Sequence, residues 1–146
     1  MIIYKTGNIF DSNCETLVNP VNVFSVMGKN LALQFKEKYP EMFAYYKNLC
    51  HNKQLNVNKV EVYNDTKTNK KIVLFPTKYH WKNPSKIEWI KNGLEDLLDK
   101  VSKHNIQSIA MPLLGCGAGG LNKQEVLPLL EEFGNKFEGI CEIYIG

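Results

Sequence analysis

PLLGCGAGGL, residues Pro112–Leu121, places four glycines, Gly115, Gly117, Gly119 and Gly120, within six positions. A short apolar run, Ser108–Met111, precedes it, and a helix-start signal at Asn122 follows. Glycine serves where the backbone must take a positive φ or come close to a ligand. A strand, a glycine loop and a helix N-terminus in succession form the usual cradle that holds phosphate on backbone N–H groups. A bare turn needs one or two glycines, so the stretch reads as a phosphate-type site. No Lys–Ser/Thr pair follows Gly120, so it is not a Walker loop.

Around this loop lie 146 residues, enough for one domain with one core, residues 1–146. The 44% apolar and 23% charged content is that of an ordinary globular chain. No apolar run approaches the ~20 residues of a membrane span, and no basic segment followed by an apolar one opens the chain as a secretory signal would. Cys14, Cys50, Cys116 and Cys141 are scattered, which suits reduced thiols and a cytoplasmic setting. His51, His80 and His104 have no zinc-site spacing, and no acidic pair suggests a two-metal centre, so neither metal nor cofactor is expected. A net charge of +3 does not by itself argue for nucleic acid. Lys67, Lys70, Lys71, Lys78 and Lys82 do fall close together, with Tyr79, His80 and Trp81 among them.

Strands are predicted at Ile2–Lys5, Thr16–Val18, Val57–Tyr63, Lys71–Pro76, Gln107–Met111 and Ile140–Ile145. Pro20 is expected to end the second, and Asn64–Asn69 to turn a hairpin between the third and fourth. Apolar residues at helical spacing predict helices over Asn30–Lys38, Glu41–Leu49, Ile87–Val101 and from Asn122 to Lys136. Ser85 and Glu88 read as a capping box for the third, and Pro128 is expected to deform the fourth. The pattern is α/β, a mixed sheet covered on both faces.

Ligands of open α/β sheets sit beyond the carboxyl ends of the strands. Four segments qualify: Gly7–Phe10, Asn19–Lys29, Thr77–Trp81 and Leu113–Gly120. Lys78 follows the most apolar strand. A lysine partly removed from water there has a lowered pKa and offers a neutral amine as nucleophile, or serves as a point charge for phosphate. Asn22 could hydrogen-bond a sugar hydroxyl or merely punctuate a turn. Cys116 has no histidine fixed beside it, which argues against a thiol nucleophile.

These segments together resemble the macrodomain family, and within it the DarG antitoxin macrodomains. The resemblance is carried by TGNIF (Thr6–Phe10), LVNPVN (Leu17–Asn22), VMGKNLALQFK (Val26–Lys36), FPTKYHW (Phe75–Trp81) and PLLGCGAGGL. It implies a three-layer α/β/α sandwich that binds ADP-ribose in a cleft. Asn8 and Ile9 would meet adenine, with Tyr144 near it; the family usually has Asp where Asn8 stands. Leu114, Gly115, Cys116, Gly117, Ala118, Gly119 and Gly120 would wrap the diphosphate. Asn22, Met27, Gly28, Lys29 and Thr77 would surround the distal ribose, in a loop where the family commonly has glycines in place of Ser25 and Asn30. Lys78 falls on the family's catalytic lysine, and Gly119 on a position where a related glycohydrolase has an Asp. The implied activity is an ADP-ribosyl glycohydrolase that removes ADP-ribose from thymidine bases in single-stranded DNA, opposing a cognate ADP-ribosyltransferase toxin. Protein-linked ADP-ribose, O-acetyl-ADP-ribose or ADP-ribose 1″-phosphate are alternative substrates, and ADP-ribose binding without turnover is the alternative of another class.

Overall fold

The most apolar of the predicted strands lies inside the sheet, one position in from its edge. In the computed structural model, which describes residues 1–146, it is β4, Lys70–Lys78. Successive strand side chains point to opposite faces, and both faces of β4 are buried. Ile72 and Leu74 enter one apolar cluster, Val73 and Phe75 the other. The remaining strands are β1 (Ile2–Lys5), β2 (Thr16–Asn22), β3 (Glu61–Asp65), β5 (Ser108–Pro112) and β6 (Ile140–Tyr144). The helices are α1 (Asn30–Lys38), α2 (Pro40–His51), α3 (Ile87–Lys103) and α4 (Lys123–Lys136).

The sheet order is β1-β6-β5-β2-β4-β3, parallel except for β3, which pairs antiparallel with β4 as the predicted hairpin. At its turn Asp65 Oδ2 accepts from the Thr68 N–H (3.0 Å) and hydroxyl (2.6 Å), and Asn69 takes φ 61°. Phe35, Met42 and Tyr46 of α1 and α2 cover one face of the sheet. Ile90, Leu94 and Leu97 of α3, with Val126, Leu130 and Phe133 of α4, cover the other. The expected three-layer α/β/α sandwich is therefore the observed one.

Several local expectations are corrected. Pro20 does not end β2; it pairs with Phe75 and the strand runs to Asn22. The β2–β5 ladder stops at Leu17, so beyond it β2 has one unpaired side, where a missing N–H is tolerated as at a sheet edge. Pro40 begins α2, in the first-turn position that suits a residue without an N–H. Residues 57–60 lie outside β3, and Val60 N–H donates to Asp96 Oδ2 instead (2.8 Å). The capping box does not form. Lys86 is the N-cap of α3 without a side-chain bond, and the buried Ser85 hydroxyl has no partner. At α4 the expected cap does form, with Asn122 Oδ1 accepting from Gln124 N–H (2.8 Å), and Pro128 is accommodated inside the helix.

Helix α3 lies close against β4 because Gly93 has no side chain. A Cβ there would come within 2.5 Å of the buried Phe75 ring. Gly93→Ala adds up to about 1 kcal/mol of helix propensity, but overpacking costs about 1–3 kcal/mol. A net loss of stability, read by urea unfolding, is the expected result.

Candidate active site

Because β1, β6, β5, β2 and β4 run parallel, their carboxyl ends share one edge of the sheet. All the predicted site segments stand on that edge. Strand order arranges them in a line: Asn8 and Ile9 after β1, Tyr144 ending β6, the glycine loop after β5, the Asn22–Lys29 loop after β2, and Lys78 ending β4. A separate crevice of about 820 Å³, lined by Met1, Asn105, Gln107 and Gly139, lies at the opposite ends of the strands.

At the β1 end, Asn8 Oδ1 accepts from Phe10 N–H (3.0 Å) and caps a short 3-10 turn, Ile9–Asp11. One lone pair of that oxygen and the amide hydrogens are left. Ile9 and Tyr144 are both buried in the cluster on the α1/α2 side of the sheet, at the ends of the adjacent strands β1 and β6. Burial pushes the Tyr144 phenol up, which keeps it protonated.

The glycine loop is held by a few backbone bonds. Cys116 N–H donates to Leu113 O (3.2 Å), Gly120 N–H to Gly117 O (3.1 Å) and Leu121 N–H to Gly115 O (2.9 Å). The N–H groups of Gly115, Gly117, Ala118 and Gly119 donate to no protein acceptor, and Gly115 and Gly119 are buried. Buried N–H groups are rarely left orphaned, so this row of donors suits an anion. Gly115 and Gly120 both take φ 76°. Gly119 is required for a different reason. A Cβ there would lie 2.5 Å from Gly115 O and within contact of the Ser85 hydroxyl, while Ser85 N–H donates to Gly119 O (2.9 Å). No side chain, acid or otherwise, fits at 119 in this conformation. Burial pushes the Cys116 thiol up, against thiolate chemistry.

Asn22 organises its own loop. Its Oδ1 accepts from Phe24 N–H (2.9 Å) and its Nδ2 donates to Val26 O (2.8 Å). The buried Tyr46 hydroxyl donates to the Asn22 carbonyl (2.7 Å), with Asn22 Oδ1 at 2.9 Å. The amide is thus largely committed within the protein. Met27 is buried beneath the loop, and Gly28 and Lys29 are exposed on it. Ser25 (φ 65°) and Asn30 (φ 57°) both hold left-handed backbone. The two departures from glycine therefore keep a glycine-like chain path; Asn tolerates that region, and Ser25 carries the larger strain.

Lys78 is the last residue of β4 rather than a residue beyond it. Val21 pairs with Pro76 but Asn22 pairs with Lys78, so Thr77 is the extra residue of a bulge. Bulges re-aim side chains beside sites, and this one sets Lys78 directly across from Asn22. The Lys78 ammonium donates to Trp81 O (3.1 Å). Partial burial, and then the positive charge of Lys29, push its pKa down.

Three contributions are not legible in the sequence: Ser85 under Gly119, Tyr46 anchoring Asn22, and the charge of Lys29, itself expected in the ribose loop, acting on Lys78. The first was mistaken for a cap. The other two act across 24 and 49 positions of chain, and only the fold brings such distant residues together.

A mixed sheet between helix pairs, with an anion-type glycine loop and a lysine on one edge, defines the macrodomain class. A family profile for the Macro domain matches residues 18–130, and the chain belongs to that family. It is 44% identical over 128 residues to a DNA ADP-ribosyl glycohydrolase of Mycobacterium tuberculosis, covering 86% of this chain and 36% of that protein. Among solved structures it matches the macrodomain of Mycobacterium tuberculosis DarG at TM-score 0.97 and 40% identity, over 100% of this chain and 98% of that one. Thermosipho africanus DarTG in complex with ADP-ribose matches at TM-score 0.93 and 34% identity, over 99% of this chain and 41% of that one. The chain spans little more than a third of the length of the curated Mycobacterium relative. No helix is long and apolar enough to cross a membrane.

Two glycines of the loop separate cleanly by substitution. Gly119→Ala is expected to lower stability by about 1–3 kcal/mol through backbone overpacking. Gly117→Ala, with nothing within 4 Å of its new methyl and no positive φ, is expected to be neutral or slightly stabilising. Thermal denaturation of the two variants checks both.

Proposed function

We propose that residues 1–146 form one macrodomain that hydrolyses the N-glycosidic bond between ADP-ribose and thymidine bases in DNA, with Lys78 at the anomeric carbon. The observation that carries this reading is the line of segments along the sheet edge. From β1 to β4 it runs Asn8 and Ile9, Tyr144, the free N–H groups of the glycine loop, the Asn22–Lys29 loop and Lys78. ADP-ribose has its parts in the same order: adenine, diphosphate, distal ribose and the anomeric carbon that carries the leaving group. The loop N–H groups would take the diphosphate. Met27, Gly28 and Lys29, with Thr77, would enclose the distal ribose, held in shape by Asn22.

Catalysis then falls to Lys78. Its lowered pKa raises the share of neutral amine, which can attack the anomeric carbon as the base departs; water then displaces the lysine from that carbon, releasing ADP-ribose and restoring the amine. With no side chain possible at Gly119, the proton needed by the leaving base would come from water or substrate. Similarity to relatives named as DNA ADP-ribosyl glycohydrolases favours DNA over the other ADP-ribose esters and glycosides. The proposed partner is a cognate ADP-ribosyltransferase toxin, which the likeness to Thermosipho africanus DarTG supports. All four cysteines are free thiols, which fits a cytoplasmic setting.

The direct test is mass spectrometry of an ADP-ribosylated thymidine oligonucleotide incubated with wild type and Lys78→Ala. The variant is expected to bind ADP-ribose in calorimetry while its hydrolysis falls at least about a hundredfold. Full activity of Lys78→Ala would remove the lysine from the mechanism.

The Lys29 charge supplies a second test. A neutral-amine mechanism loses rate as pH falls and Lys78 takes up its proton. Lys29→Gln removes a like charge that favoured the neutral form, so the pKa of Lys78 rises. The acid limb of kcat is expected to move to higher pH. A limb that stays in place would indicate that Lys78 works as a fixed cation.

A further inference from the structure

On the far side of the Asn22–Lys29 loop from the glycines lies a pocket of about 360 Å³. Phe24 and Tyr79 form one wall, and His51, Lys53, Leu55 and Asn56, just after α2, form the other. Phe24 is 45% exposed and Tyr79 49%, and their rings meet edge to face with centroids 5.4 Å apart. His80 lies 4.7 Å from Phe24 and stacks on the exposed Trp81, over which Lys82 sits at 5.0 Å. Half of the large apolar side chains left exposed on the whole protein, Phe24, Val26, Tyr79 and Trp81, fall in this one place. Such concentrations mark interaction sites.

The charge around it is one-signed. The residues that line the pocket include no Asp or Glu, and the segments that carry them, 16–36, 42–60 and 66–87, hold none of the chain's 15. Lys29, Lys53, Lys78, Lys82 and Lys86 all lie in them. Lys53 also holds φ 55° immediately after the C-cap of α2, where glycine is the least strained residue. The ADP-ribose line has no use for this pocket, yet Tyr79 adjoins Lys78 in the chain.

We infer that the pocket is a second nucleotide subsite, which takes the base next to the modified thymidine of a single strand. This rests on the DNA reading above. The base stacks on Tyr79 and Phe24, and its phosphate lies toward Lys53 and His51. Aromatic faces interleaved with cations and free of carboxylates are what single-stranded nucleic acid binds, without sequence preference. The Asn56 amide can bond a base edge.

The test compares two substrates, ADP-ribosylated thymidine 5′-monophosphate and an oligonucleotide with one ADP-ribosylated thymidine. Wild type is expected to show the lower KM for the oligonucleotide, with the gap narrowing as salt rises. Tyr79→Ala is expected to raise the oligonucleotide KM about tenfold, Lys53→Gln less, and Tyr79→Trp to restore it. None of the three is expected to change kcat or KM for the mononucleotide. Equal wild-type KM values overturn the inference while leaving the DNA activity standing, as does an unchanged oligonucleotide KM in the variants. Equal losses on both substrates also overturn it, since Tyr79 then serves the fold or the ADP-ribose site. A preference shown instead for an ADP-ribosylated peptide, and lost in the same variants, reassigns the pocket to protein. A wild type that cleaves neither DNA substrate overturns the underlying reading itself.

Discussion

The contact between Gly119 and Ser85 couples the two halves of the site. Ser85 N–H donates to Gly119 O, and its hydroxyl occupies the space a side chain at 119 would need. Ser85 ends the segment that leaves β4 at Lys78 and returns into α3. The glycine loop ends at the start of α4. One close backbone approach thus fixes the row of free N–H groups relative to the lysine. Glycine at 119 is a requirement of packing, independent of any ligand. That same requirement bars an acid from position 119, and the proposed chemistry rests instead on Lys78 at the β4 end of the line.

The sheet supplies the spacing. Parallel pairing of β1, β6, β5, β2 and β4 brings five carboxyl ends to one edge, and β3, the antiparallel strand, adds nothing to it. The bulge at Thr77 then makes the final adjustment. Without it Lys78 would sit one register position away from Asn22, and side chains alternate faces along a strand. Asn22 in turn is fixed by Tyr46 from α2, whose hydroxyl burial keeps protonated and therefore donating. The proposed ribose loop is thus tied to the helical layer beneath it, and the proposed nucleophile to the strand beside it.

Most of this architecture was legible in the sequence because its causes are local. The continuous apolar run of Lys71–Pro76, the helical period from Ile87 to Val101, the Asn122 cap and the glycine cluster each depend on a few neighbouring residues. The errors came where a local signal competed with a distant partner. Ser85 and Glu88 have capping-box spacing, yet the Ser85 backbone is claimed by Gly119, some 34 positions on. Pro20 signals a strand end, yet the parting of β2 from β5 leaves one side that can lack a donor. For Asn22 the sequence leaves two readings open, sugar ligand or turn residue; the structure adds that its amide bonds Phe24 and Val26 within its own loop. Ser25 and Asn30 stand where the family commonly has glycines, and both hold left-handed backbone all the same.

Strain at Ser25 has a further consequence for how the loop should be understood. A left-handed non-glycine residue persists only where its surroundings over-determine it. Here the surroundings are the Asn22 amide bonds on one side and buried Met27 on the other. The loop therefore has its shape before any ligand arrives, and binding need not order it. A preformed loop spends little of its binding energy on ordering. It also gives Phe24, the next residue back, a fixed place from which to meet Tyr79. Phe24 and Tyr79 then stand between the proposed ADP-ribose line and the aromatic pocket, and a strand crossing them would meet both surfaces beside the lysine.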